Sequence, residues 1–184
     1  MAKTYTLHVA GLTRELPICK INDHLDIAAF IMFSDVELTI ACAKALLEKC
    51  PDFDVILTAE AKGIPLAYEM SRQSGKQWIP ARKGVKGYMA DPVIVEDQSI
   101  TTAGVQKLYL GRDDADLIRG KRILLMDDVI STGGSIHAME ALVNMAGGTV
   151  VGRIAVLAEG AAADRTDIKN LERLPVFNAD GTVK

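Results

Sequence analysis

The stretch RILLMDDVISTGGSI, residues 122–136, decides the fold of this chain. It opens with an apolar run, residues 122–126, which is typical of a strand buried in a parallel sheet. Two acids follow, Asp127 and Asp128, then a short turn, and then a helical pattern over residues 134–146. This order indicates the carboxyl end of a strand in an α/β sheet, which is where such sheets bind their ligands.

The turn after the acids has the composition of an anion site. Its residues are small or carry hydroxyl groups: Ser131, Thr132, Gly133, Gly134 and Ser135. Glycine lets the backbone approach a ligand closely, and the N–H groups of a turn and a helix start favour negative charge. Carboxylates beside such a turn suit vicinal hydroxyls, so the pattern favours a ribose 5-phosphate group. The spacing matches neither GxxxxGK[ST] nor GxGxxG, which argues against a P-loop or a dinucleotide fingerprint.

The rest of the chain alternates between strand-like and helix-like segments, which favours an α/β fold. We predict strands over 4–9, 54–58, 77–81, 93–96, 105–110, 122–126, 149–158 and 174–177. We predict helices over 35–49, 64–74 and 134–146. No repeat, low-complexity tract or linker interrupts this pattern.

Composition narrows the class of protein. The 184 residues are 49% hydrophobic and 24% charged, with a formal net charge of −3, which suits one domain with a real core. There is no basic excess, so we expect no nucleic-acid partner. No apolar run is long enough to span a bilayer and no secretory signal is visible, so we expect no membrane association. The odd number of cysteines, without a CxxC pair, predicts a cytoplasmic protein without disulfides or structural zinc.

The segment 122–136 resembles the phosphoribosyl-diphosphate (PRPP) motif of the type I phosphoribosyltransferases. The resemblance implies a doubly wound, mainly parallel sheet with a small hood, within a single domain over residues 1–184. The hood would come from about residues 1–34 and the C-terminal tail. The resemblance also implies that Asp127 and Asp128 are catalytic, hold the ribose hydroxyls and support Mg²⁺ directly or through water. The turn at 131–135 would hold the 5-phosphate.

Three further segments resemble the adenine phosphoribosyltransferase group. LTAEAKGI (57–64) resembles its diphosphate loop, IPARKGVKGY (79–88) resembles its strand followed by an Arg-Lys pair, and LERLPVF (171–177) resembles its closing segment. The resemblance implies that the diphosphate of PRPP is bound by Ala61, Lys62, Gly63, Arg82, Lys83 and Lys86.

The resemblance also implies a mobile loop and a base-binding segment. Residues 83–104 combine three glycines, a proline and basic side chains, and would close over the site. HLDI (24–27) lies where the group clamps the base, and it offers His24 and Leu25 in place of an aromatic residue. The group's loop acid has no counterpart, because that position falls at about Thr102.

We therefore expect a purine salvage enzyme that joins PRPP to a free base, with Mg²⁺ as cofactor and a homodimer as its assembly. Adenine is the first candidate and xanthine the second, since INDHLD (21–26) faintly resembles the xanthine enzymes. Ser131 argues against the hypoxanthine-guanine enzymes, which carry an aspartate there. A non-catalytic PRPP-sensing regulator and an orotate phosphoribosyltransferase remain alternatives.

Overall fold

The computed structural model describes residues 3–97 and 106–184, although not the side chains of residues 96, 97 and 106. The strands are β1 (Thr4–Val9), β2 (Leu12–Asn22), β3 (Leu25–Ala28), β4 (Val55–Ala59), β5 (Gln77–Ala81), β6 (Val93–Asp97), β7 (Gln106–Leu110), β8 (Arg122–Ile130), β9 (Thr149–Glu159), β10 (Lys169–Leu174) and β11 (Val176–Phe177). The helices are α1 (Val36–Leu47), α2 (Ile64–Ser74), α3 (Arg112–Ile118) and α4 (Gly134–Ala146). None of these helices is long and apolar enough to cross a membrane.

Five parallel strands form the central sheet, in the order β10-β9-β8-β4-β5. Successive residues of its strands face opposite sides, so the sheet has an apolar core on each face. On β8, Leu124 and Met126 belong to the core that contains residues of α1 and α2. Ile123 and Leu125 belong to the core that contains residues of α3 and α4. Helices therefore cover both faces of the sheet, which confirms the predicted α/β class.

A second, antiparallel sheet has the order β1-β2-β3-β11 and brings both ends of the chain together. β1 and β2 are joined by the two-residue turn Ala10-Gly11, whose φ angles are 51° and 78°. Two positive φ angles are what a tight hairpin turn requires. This sheet is the small hood that the fold class predicted.

The Arg14 side chain of β2 links the hood to the start of α1. Its Nε donates to Asp35 Oδ2 at 2.7 Å and its Nη2 donates to Glu37 Oε2 at 2.8 Å. Asp35 also accepts from the backbone N–H of Leu38 at 3.1 Å, and so caps α1. Asp35 therefore both binds the hood through Arg14 and caps the first helix that packs on the central sheet.

The observed elements differ from the predicted ones in several places. β8 continues to Ile130, because Val129 and Ile130 still pair with β9; the prediction of a strand ending at residue 126 was wrong. Asp127 and Asp128 therefore lie within the strand, not after it. Helix α3 and strands β2, β3 and most of β10 were not predicted. The predicted strands at 93–96 and 105–110 correspond to the antiparallel pair β6 and β7, which is separate from the central sheet; residue 105 lies outside the described residues.

Candidate functional site

Two adjacent carboxylates lie near the carboxyl end of β8, at the middle of the central sheet. Asp128 is 3% exposed, whereas Asp127 is partly exposed and lines a small cavity. Asp127 Oδ1 accepts from the backbone N–H of Asp128 at 2.9 Å, which fixes the orientation of its carboxylate.

Lys62 provides the positive charge next to this pair. Its Nζ lies 3.0 Å from Asp128 Oδ2, a carboxylate oxygen that is shielded from solvent. The lysine side chain itself is about half exposed. The charge of a buried carboxylate needs such a partner, because burial without one is costly. The contact joins the loop after β4 to the acids of β8.

The pKa of Asp127 is raised well above the usual range for an aspartate, chiefly because the carboxyl is desolvated. The negative charge of Asp128 raises it further, while the Asp128 N–H and the Lys62 ammonium oppose the shift. Perturbed carboxyl pairs of this kind are concentrated at functional sites. A ligand that brings positive charge or hydroxyl donors would favour the ionised form of the carboxyl.

The turn after β8 forms a cradle at the start of α4. Asp127 and the residues from Val129 to Ile136 line a cavity of about 40 Å³. Gly133, the residue before the helix, has a left-handed φ of 84°, a conformation that glycine adopts without strain. The free N–H groups of the first helical turn make this cradle suitable for a phosphate. All five residues of the predicted phosphate turn lie here.

The predicted diphosphate loop lies beside the acid pair. A Cβ atom on Gly63 would approach Thr58 Oγ1 more closely than van der Waals contact allows, and would lie 3.5 Å from Asp127 Oδ1. The absence of a side chain at this position therefore lets the loop of Ala61 and Lys62 pack against β4 and β8. The peptide bond between Glu60 and Ala61 is cis.

Glu60, which the sequence analysis did not assign, organises the predicted basic residues. Its Oε1 lies 3.3 Å from Arg82 Nη1 and 3.6 Å from Lys86 Nζ, and its Oε2 accepts from the Lys83 N–H at 3.0 Å. These contacts lower the pKa of Glu60, the Lys83 N–H most strongly. Glu60 directly precedes Ala61, Lys62 and Gly63 in the sequence. This position in the predicted diphosphate loop could have identified it as a site residue.

A larger cavity, of about 370 Å³, adjoins the phosphate cradle, with Val129 and Ser131 common to both. The remaining wall residues come from the hood and the ends of the central strands: Ile27, Ala28, Ala29, Phe30, Ile31, Lys62, Glu159 and Leu174. One apolar wall with a few polar groups is the usual character of a small-molecule site.

The two predicted base-binding residues do not line this cavity. His24 is exposed in the turn before β3, where its N–H donates to Asn22 Oδ1 at 2.8 Å, and Leu25 is half-buried at the start of β3. The wall is formed by residues 27–31, which follow them. The expected position of the loop acid, Thr102, lies outside the described residues, as do residues 98–104 of the predicted mobile loop.

The donor set fits a magnesium ion that is shared with a phosphorylated substrate. Within residues 3–97 and 106–184, no group of three or more acidic, histidine or cysteine side chains could hold a metal alone. Mg²⁺ commonly takes one or two carboxylates and completes its shell with substrate phosphates and water. Asp127 and Asp128 could supply such carboxylates.

Comparison with known proteins agrees with this geometry. Residues 37–180 match the family model of the phosphoribosyl transferase domain. The adenine phosphoribosyltransferase of Ruminiclostridium cellulolyticum is 31% identical over 145 residues, which cover 77% of this chain and 76% of that protein. The enzyme of the same name from Thermotoga petrophila is 34% identical over 100 residues, which cover 54% of this chain and only 56% of that protein.

Solved structures show the same fold. The crystal structure of adenine phosphoribosyltransferase from Thermoanaerobacter pseudethanolicus aligns with a TM-score of 0.65 at 24% identity, covering 77% of this chain and 84% of that one. The Giardia lamblia enzyme in complex with 9-deazaadenine aligns with a TM-score of 0.60 at 18% identity over 92% of this chain and 93% of that one. On the match of the family model, the Ruminiclostridium relative and the shared architecture, the chain belongs to the phosphoribosyl transferase family.

Proposed function

We propose that this protein is a purine salvage enzyme that transfers the phosphoribosyl group of PRPP to adenine, releasing AMP and diphosphate. The observation that carries the proposal is the junction of a phosphate cradle, an adjacent acid pair and a larger cavity with an apolar wall at one end of β8. A 5-phosphate, a ribose and a planar base need these three environments in this order. The names of the relatives support adenine as the base.

PRPP would lie along the carboxyl end of the sheet. The 131–135 turn would hold the 5-phosphate, and Asp127 and Asp128 would accept hydrogen bonds from the ribose hydroxyls. Ala61, Lys62 and Gly63, with Arg82, Lys83 and Lys86, would surround the diphosphate. Glu60 holds the side chains of Arg82 and Lys86 in the absence of a ligand. Binding of the diphosphate would therefore cost less conformational entropy, because these side chains are already ordered.

Loss of diphosphate leaves positive charge on the anomeric carbon, and the transition state resembles an oxocarbenium ion, as in glycoside cleavage. Negative charge develops at the same time on the departing diphosphate. Basic groups that meet this charge accelerate the reaction, because they bind the transition state more strongly than the ground state. When bound, Mg²⁺ supplies further neutralisation of the diphosphate. The carboxylates of Asp127 and Asp128 would lie on the ribose side, where their negative charge would favour the cationic sugar.

We further propose a cytoplasmic homodimer. Val36 and Ile40 on α1 and Tyr68 on α2 are largely exposed apolar side chains on two helices that pack together. A second copy of the chain would remove this surface from water. The three cysteines are free, which agrees with a reducing compartment.

Diphosphate release with PRPP, Mg²⁺ and a panel of bases tests the proposal. The panel contains adenine, hypoxanthine, guanine, xanthine, orotate and uracil. We expect the highest kcat/KM with adenine. A preference for xanthine would replace the base but keep the reaction, whereas PRPP binding without release on any base would support a PRPP-sensing regulator.

A further inference from the structure

Glu159 is a charged side chain of the larger cavity that the binding of PRPP leaves unused. It is the last residue of β9, half-buried, and its backbone pairs with Leu174 of β10. Leu174 lines the same cavity, and β11 of the hood follows it after one residue. Glu159 therefore lies where the central sheet meets the hood, on the wall that the hood residues 27–31 complete.

The other polar side chains of the cavity already have assignments. Lys62 is paired with Asp128, and Ser131 belongs to the phosphate turn. Within residues 3–97 and 106–184, the structure gives the carboxyl oxygens of Glu159 no hydrogen bond. Its hydrogen-bonding capacity is thus open to a ligand in the cavity.

Burial raises the pKa of Glu159 above the ordinary glutamate range, and the positive charge of Lys62 opposes the shift. Lys62 acts on Glu159 only as a nearby charge, and a partly desolvated carboxyl that accepts no hydrogen bond from the described residues is costly unless a ligand supplies a donor. This supports a ligand-binding role independently of the family to which the chain belongs.

We propose that Glu159 is a specificity-determining residue that accepts a hydrogen bond from the exocyclic amine of the base and selects 6-aminopurines over 6-oxopurines. The inference rests on the proposed function and goes beyond it by naming the group that reads the base. The amine of a 6-aminopurine can donate a hydrogen bond to the carboxylate of Glu159. The carbonyl oxygen of a 6-oxopurine would instead face the carboxylate oxygen, and two acceptors without a proton between them repel each other. Sites built around such a hydrogen bond strongly reject the analogue that lacks the donor.

Two substitutions of Glu159 test separately whether it binds adenine and whether it excludes hypoxanthine. In Glu159→Gln the amide oxygen still accepts from an amine, but the amide N–H can donate to a carbonyl. We expect kcat/KM with adenine to change by less than about fivefold and the preference for adenine over hypoxanthine to fall at least tenfold. In Glu159→Leu the acceptor is lost, and we expect kcat/KM with adenine to fall about tenfold or more. The KM for PRPP should stay within twofold in both variants.

Glu172→Gln is the matched control, because Glu172 is an exposed glutamate on β10 that does not line this cavity. We expect it to leave both the preference and the activity unchanged. The wild-type enzyme is also tested with unsubstituted purine, which lacks the amine, so that the outcome does not depend on how the variants fold. We expect wild type to use purine at least tenfold less efficiently than adenine.

Several results would overturn the inference. They are equal use of purine and adenine by wild type, a base preference in Glu159→Gln within twofold of wild type, or a wild-type preference for a 6-oxopurine. In each of these cases the phosphoribosyl transfer itself would still stand. If none of the bases in the panel led wild type to release diphosphate, the proposed function and this inference would fail together.

Discussion

At the scale of single residues, the acidic and basic side chains of the site already contact one another in the absence of substrate. Asp127 and Asp128 are adjacent on a central strand, where desolvation and then the charge of Asp128 raise the pKa of Asp127. Lys62 offsets that cost from one loop, and Glu60 holds Arg82 and Lys86 in another. Substrate binding would therefore exchange existing charge contacts for new ones.

The contact between Lys62 and Asp128 can be measured with a double-mutant cycle. Lys62→Met leaves a buried carboxylate without its partner, and we expect a loss of about 1–2 kcal/mol in the free energy of unfolding. That figure is below the value for a fully buried pair because the lysine is half exposed. In an Asp128→Asn background the same substitution should cost less than half as much. Denaturant unfolding of the four proteins gives both values.

Lys86→Met is the control for this cycle, since Lys86 belongs to the same site but contacts Glu60. Its cost should be the same in the wild-type background and in the Asp128→Asn background. An equal cost of Lys62→Met in both backgrounds would show that the pair contributes nothing to stability.

At the scale of elements, the sequence predicted best where apolar runs and helix signals coincide. Helix α2 has the predicted bounds, with Pro65 in its first turn and Gly75 at its end in a left-handed conformation. Buried strands such as β4 were clear because all five of their residues are apolar or small and inaccessible.

The hood was harder to predict for a physical reason. Most residues of β2 are exposed or half-exposed, so its sequence carries little apolar signal, and the hood strand β11 is distant in the chain. Residues 27–31 of the cavity wall belong to or directly follow the hood strand β3. The resemblance to the adenine group placed base binding at His24 and Leu25, which lie just before these wall residues. Glu159 directly follows the predicted strand 149–158. Because ligands bind at the carboxyl ends of strands in such sheets, this position could have identified Glu159 as a candidate site residue.

The link between the hood and α1 has a pH dependence that can be predicted. The pKa of Asp35 is lowered, first by the hydrogen bond from Arg14 and then by the Leu38 N–H. A lowered folded-state pKa gives stability that is present above the unfolded value near 3.9 and is lost as pH falls through the folded value. We expect Asp35→Asn to be about 1 kcal/mol less stable than wild type at pH 7, and the difference to shrink as the pH falls below the unfolded value and to vanish below the lowered folded value.

Glu37→Gln provides the comparison, because Glu37 binds the same arginine from an exposed position. We expect its effect to stay within about 0.5 kcal/mol at pH 7. Thermal unfolding of both variants over a pH series measures these differences. A cost of Asp35→Asn that does not depend on pH would contradict the role of its charge.

The segment after β5 gives a prediction about substrate closure. Lys83 is exposed, and Val85 and Tyr88 are 55% and 73% exposed, so large apolar side chains lie uncovered beside the diphosphate loop. We expect PRPP with Mg²⁺ to slow tryptic cleavage after Lys83 and Lys86 severalfold, because both residues would contact the ligand. Peptide mapping over time follows each bond.

The bond after Lys121 serves as the internal reference for this experiment. Lys121 is exposed just before β8, at the opposite end of the strand from the site. Its cleavage should not change when PRPP is added. Equal rates after Lys83 with and without ligand would mean that this segment does not close over the site.

At the scale of the whole molecule, the order of the sheet explains where the site lies. β8 is the middle strand, and the loops after β4 and β8 leave the same end of the parallel sheet. This brings the diphosphate loop, the acid pair and the phosphate turn together, while the hood closes the remaining side. In the proposed function the two sheets have different tasks: the central sheet would hold PRPP, and the hood would supply the wall for the base.

The most direct measurement of phosphoribosyl transfer compares diphosphate release by wild type and by the double variant Asp127→Asn, Asp128→Asn. With adenine, PRPP and Mg²⁺, we expect release by wild type that requires all three components, and a loss of at least about a thousandfold in the variant. The variant should melt within a few degrees of wild type, because asparagine matches the size of aspartate and removes a buried like-charge contact. Full activity of a folded double variant, or no release by wild type with any base, would contradict the assignment of this site.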